Sequence, residues 1–144
     1  MAAYQKFQDF AEQVLTAVHN FTAAGHVMKI YLSNTAFSLS GDAVKADLAE
    51  IGAGNGYAAG GEDVQNTLAE AAGTATVTGT KVVWTASGGT IGPFQFVVLY
   101  NDTSASDNLI SLWDRGAGLT LQDGETFTVK FNNGDPTGTI FTLA

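Results

Sequence analysis

From His26 to the C-terminus the chain never settles into a helical period. It runs as short stretches of strand-forming residues broken by clusters of Gly, Asn, Asp and Ser, a pattern that belongs to sandwiches and barrels. "ETFTVKF" (125–131) shows the rule: Phe127, Val129 and Phe131 share one face, and Thr128 and Lys130 take the other. "HVMKIYLSN" (26–34) is a second clear strand, and others are expected at 75–78, 82–86, 94–100, 109–113, 119–121 and 139–143. About eight strands suit an antiparallel two-sheet β-sandwich or jelly roll. "DAVKADLAEI" (42–51) stays open between short helix and strand, because both Val44, Leu48, Ile51 and Val44, Ala46, Leu48 are regular spacings.

Residues 1–24 follow a different rule. Phe7, Phe10, Ala11, Val14, Leu15 and Val18 recur at three- and four-residue steps, with Lys6, Asp9, Glu12, Gln13 and Thr16 opposite. The spacing predicts an amphipathic helix of about five turns. Such a stripe packs on its own domain or docks on a partner subunit, and Phe7, Phe10 and Val14 are its candidate contacts. At 144 residues one core is expected, so 1–144 reads as a single domain: a helical segment 1–24, then a β-sandwich 25–144.

Charged residues are 14% of the chain, against about 25% in ordinary domains. The exterior must therefore be tiled with Thr, Ser, Asn, Gly and Ala, as in β proteins that pack against neighbours. A net charge of −8 repels phosphate backbones, which excludes nucleic acid as a primary partner. There is no cysteine, so disulfides, thiolate metal sites and cysteine nucleophiles fall away. The N-terminus has no cationic start followed by an apolar run, and no apolar stretch reaches the roughly 18 residues of a membrane span. No membrane role is expected.

"AGNGYAAGGED" (53–63) crowds Gly54, Gly56, Gly60 and Gly61 around Tyr57. A dinucleotide loop needs G-x-G-x-x-G between a strand and a helix, and a P-loop needs a following Lys. Here the spacing is wrong and Glu62 and Asp63 follow, so the glycines serve chain reversal or close approach, with Tyr57 as the anchor. "ASGGTIGPFQF" (86–96) reads as a turn between strands. His19, near the end of the predicted helix, and His26, at a strand edge, are structural. No serine sits in G-x-S-x-G, and no triad is in view.

Asp102, Asp107, Asp114, Asp123 and Glu125 form no pattern of paired catalytic acids. Asn101, Asp102, Asp107 and Asn108 lack calcium-loop spacing and read as a solvated acidic loop. No cofactor or metal is expected, and the chain is not expected to be an enzyme. Among the large aromatics, Trp84 and Tyr100 lie in apolar runs and read as core. Tyr57 and Trp113 are the candidate contact residues, with Trp113, beside Asp114 and Arg115, the best exposed platform for a sugar.

"YQKFQDFAEQVLTAVHNF", "YLSNTA", "VKADLAEIGAGNGYAAGG", "VVWTASGGTIGPFQFVVLYNDT", "LISLWD" and "LQDGETFTVKF" occur in this order. In that order the chain resembles a group of small virion proteins of tailed bacteriophages. The resemblance spans nearly the whole length and is strongest in the "GNGY…GG" and "TASGGTIGPF…VLYND" blocks. It implies a non-enzymatic structural role in the virion and carries over no site residue. The first expectation is a capsid decoration or cement protein on the capsid exterior, an oligomer touching the major capsid protein and copies of itself through the helix or sheet edges. The alternative is a tail, collar or fibre component that recognises a host surface, a glycan included.

Overall fold

A computed structural model of the chain describes residues 2–144. The protein is mainly β, and its sheets are antiparallel. The strands are β1 (Tyr4–Lys6), β2 (Met28–Ser33), β3 (Glu62–Asp63), β4 (Thr67–Ala71), β5 (Thr74–Thr80), β6 (Val82–Thr85), β7 (Ile91–Asn101), β8 (Leu109–Leu121), β9 (Thr126–Val129) and β10 (Thr137–Leu143), with one helix, α1 (Phe10–Leu15). Three sheets result, with strand orders β1-β8-β7-β2-β3, β10-β5-β4 and β6-β9.

The five-stranded sheet is covered on both faces, which explains the unbroken apolar run of β7. Val97 and Leu99 join Met28, Ile30 and Leu32 in the larger core cluster, which also takes in Val77, Trp84, Val129, Phe131 and Ile140 from the smaller sheets and the turn after β9. Phe96, Val98 and Tyr100 point the other way, into a second cluster with Phe7, Tyr31, Leu48 and Leu112. Phe37 and Leu39 cover that cluster.

The strands expected from alternation are present, with two changes. The segments at 109–113 and 119–121 are one strand, β8, and β1, β3 and β4 are additional. The open segment 42–51 is a single 3-10 turn (Lys45–Asp47) in irregular chain; the Asp47 carboxylate accepts the Ala43 and Val44 N–H groups at 2.9 and 3.0 Å, which holds its pKa below the usual range.

The five-turn helix is corrected to the six residues of α1. Its expected first turn is claimed by β8, where Tyr4 pairs Trp113 and Lys6 pairs Ser111. Its end is set at Ala17, where φ is +60°, a left-handed value that a continuing helix does not accept.

Candidate interface

The sequence places five contact candidates, and the structure separates them. Phe7 is completely buried in the second core cluster, and Tyr57 and Trp113 are 2% and 5% exposed. Trp113 is therefore not the exposed platform expected of it. It lies mid-strand in β8, facing the core, with its ring edge-on to Tyr4 at 5.8 Å and tilted against Phe131 at 5.6 Å. Phe10 and Val14, on α1, line an apolar groove.

Tyr57 anchors the glycine-rich corner, as its sequence setting suggests. Its hydroxyl donates to Glu50 Oε1 at 2.7 Å and accepts the Leu32 N–H at 3.0 Å. The same Glu50 oxygen takes the Gly60 N–H at 2.7 Å, and Lys45 Nζ meets the other oxygen at 2.7 Å. A built-in carboxylate thus occupies the amide that a phosphate loop would offer its ligand. Lys45 also stands over the rings of Tyr31 and Tyr100, at 4.9 and 5.7 Å. The Tyr100 hydroxyl reaches Gly60 O at 2.8 Å and Asp102 at 3.1 Å, and Asp102 pairs Lys29 at 2.9 Å. Burial pushes the pKa of Tyr31, Tyr57 and Tyr100 above the ordinary phenol range, so none supplies a phenolate near neutrality. The polar groups of this corner are spent on one another.

Gln13, expected on the solvent side of the helix, is buried instead. It donates to Asp9 at 2.6 Å and accepts His19 Nε2–H at 2.8 Å. The Asn101 amide faces Nδ1 of both His19 (3.0 Å) and His26 (2.9 Å), which fits a neutral His19 carrying its proton on Nε2. Burial, and secondarily the charge of His26, lower the pKa of His19 to about 4. Both histidines are thus tied to Asn101, and His19 lies beyond the end of α1 rather than in its last turn. Among the described residues no group of three or more His, Asp or Glu could hold a metal ion.

The groove beside α1 leaves apolar surface uncovered. It encloses about 580 Å³ between α1 and one face of the β10-β5-β4 sheet. Cross-strand register sets that face: Leu68 opposes Val77, and Val77 opposes Phe141. Phe10, Phe21 and Phe141 form an edge-to-face floor with centroids 5.2 to 6.1 Å apart. On the rim stand Leu15, 87% exposed, Leu143, 59%, and Leu68, 41%. Burying one such leucine is worth about 1.5–3 kcal/mol, which makes this groove the candidate interface.

The rim leucines escaped sequence reasoning for physical reasons. Leu15 was visible in the helical stripe, but the chain turns away two residues later and leaves it hanging. Leu68 sits in "TLAEA", which has no β-branched or aromatic run beyond its single Thr to mark a strand.

Comparison with known proteins gives no match: no family model, no curated protein and no solved structure aligns significantly with the chain. Among the described residues no helix is long and apolar enough to cross a membrane.

Proposed function

We propose that the protein is a non-enzymatic structural component of a tailed-bacteriophage virion, foremost a capsid decoration protein that seats its apolar groove on a neighbouring subunit. The phage setting rests on the ordered sequence blocks. The interface rests on the groove with Leu15, Leu68 and Leu143 on its rim. In this reading the five-stranded sheet forms one layer of a sandwich and the two smaller sheets, which share the larger core with it, form the other. Capsid proteins and further copies of the chain are the partners, and the site is the capsid exterior. The tail or fibre alternative has less support, because its best sugar platform, Trp113, is turned into the core.

Quantitative mass spectrometry of purified particles tests the proposal. A decoration protein should appear in numbers comparable to the major capsid subunit, and particles lacking it should lose heat resistance while still adsorbing to cells. A copy number matching one tail or collar ring, with adsorption lost on deletion, sinks the capsid reading and favours the alternative.

A further inference from the structure

Resting on that interface reading, we infer that the partner docks by strand addition: an extended basic segment pairs with the free edge of β4 and sends an apolar side chain into the groove. The β4–β5 hairpin turns at Ala72 and Gly73, both at positive φ, and Ala71 pairs Thr74. In a two-residue hairpin the closing pair exchanges both backbone hydrogen bonds, as does every second pair along the ladder. Ala71, Ala69 and Thr67 therefore bond inward to β5. The N–H and C=O groups of Leu68 and Glu70 point outward.

That edge is bare. All five residues of β4 are exposed, and among the described residues β5 is its only strand neighbour. Natural edges are ordinarily blunted by shortness, charged side chains (Lys above all), Pro, a bulge or a covering element, and of these five-residue β4 has one charge, Glu70. β4 reads TLAEA, and its register with β5 has no shift.

The side chains specify the occupant. Leu68 lines the groove, and Glu70 follows on the same face by alternation. Glu70 is the one charged residue in β4, β5 and β10. A complementary strand sets an apolar residue against Leu68 and a cation against Glu70. A second copy fits less well: antiparallel pairing over all five residues opposes Leu68 to Glu70 of the second copy. Sliding that pairing by two residues shortens it, and in one direction sets Glu70 against its own copy. The Glu70 carboxylate accepts the Gly73 N–H of the turn at 2.7 Å and keeps its charge, and each chain carries −8, which disfavours self-association through this face.

The probe is the peptide acetyl-Thr-Lys-Thr-Val-Thr-Val-Thr-amide at millimolar concentration, with amide hydrogen exchange of the full chain read by NMR. The Leu68 and Glu70 amides should slow at least about tenfold, while Ala69, already bonded to β5, changes little. Leu68→Pro removes an outward N–H without touching the β5 ladder and should abolish the protection at Glu70. Leu68→Ser should weaken it less, and Glu70→Lys should bind only a peptide whose Lys is replaced by Glu. Unchanged edge amides, protection that grows with chain concentration in the absence of peptide, or groove shifts with a silent edge would each overturn the inference. Particle copy number is independent of this result: an abundant virion protein with a silent edge keeps its function and loses this docking mode, and edge protection in a chain missing from particles does the reverse.

Discussion

The glycine corner and the apolar groove are opposite uses of one chain. At the corner the polar groups face inward and are satisfied: Glu50 serves Tyr57, Gly60 and Lys45, while Tyr100 ties Gly60 to Asp102. At the groove the surface is apolar and uncovered, with Leu15 almost wholly in solvent. A locked polar corner fixes the fold but has little left for a partner. The apolar face is the reverse: its rim leucines contribute little to the isolated chain, and in the proposed complex they are what a partner would cover. Residue substitutions at the corner should therefore act on folding, and those at the groove on assembly.

The largest effect is expected at Gly61. Its φ is +72°, and a Cβ there would overlap the Ile30 carbonyl in β2. Gly61→Val should cost more than about 4 kcal/mol and yield no folded chain, read by circular dichroism and soluble expression. Gly56→Val, at φ +99° and against the Thr85 carbonyl, should behave alike. Gly60 is the contrast: its φ is +91°, but the nearest atom to a new Cβ is the Tyr100 hydroxyl at 3.5 Å. Gly60→Ala should carry only the backbone term, about 1–2 kcal/mol. Equal losses at Gly60 and Gly61 would show that conformation, and not close approach, dictates the glycines.

Glu50→Ala comes next. The Glu50 and Lys45 side chains are 13% and 22% exposed, so removing the carboxylate strands an ammonium together with the Tyr57 hydroxyl and the Gly60 N–H. A loss of about 3 kcal/mol is expected from the urea midpoint. A loss near zero would mean that water replaces Glu50 and that the corner is not locked by it.

How far the sequence foretold these regions follows from the range of the interactions. Alternation located most strands because each one carries its own period. The unbroken aromatic and aliphatic run of β7 was equally legible. Trp113 misled because the sheet it lies in is buried on both faces, so neither phase of the alternation marks an outside. Tyr57 was rightly read as an anchor, but Glu50, its partner, fell in the segment whose period was ambiguous. The groove was the least legible, since it is assembled from α1, β4 and β10, and no local pattern announces that Leu15, Leu68 and Leu143 will meet. The helix was overextended because its stripe runs on to Val18, past the positive φ of Ala17 that ends α1, while at the other end β8 captures Tyr4–Lys6.

A smaller effect should appear with acid. The native His19 imidazole, lowered to about 4 from 6.5, binds a proton more weakly than the unfolded chain does. Between these values the unfolded state takes up more protons, so stability is full above pH 6.5 and falls as pH drops toward 4. Melting temperatures measured across that range should decline less in His19→Gln, which has no ring to protonate, than in the native chain. Parallel profiles would show that His19 does not stay neutral inside its Gln13–Asn101 cage.

The smallest change in stability is expected at Leu15, and it tests the contrast between the two regions most directly. At 87% exposure the side chain has almost nothing to lose in the isolated protein, and Lys is as good a helix former as Leu. Leu15→Lys should therefore shift the unfolding midpoint by no more than about 0.5 kcal/mol. Placing an ammonium on the rim of an apolar seat costs far more once a partner excludes water from it. In competition with native chain for assembling particles, the variant should be strongly depleted. A clear drop in stability would make Leu15 part of the fold's own packing, and normal incorporation would leave the groove without a role in assembly.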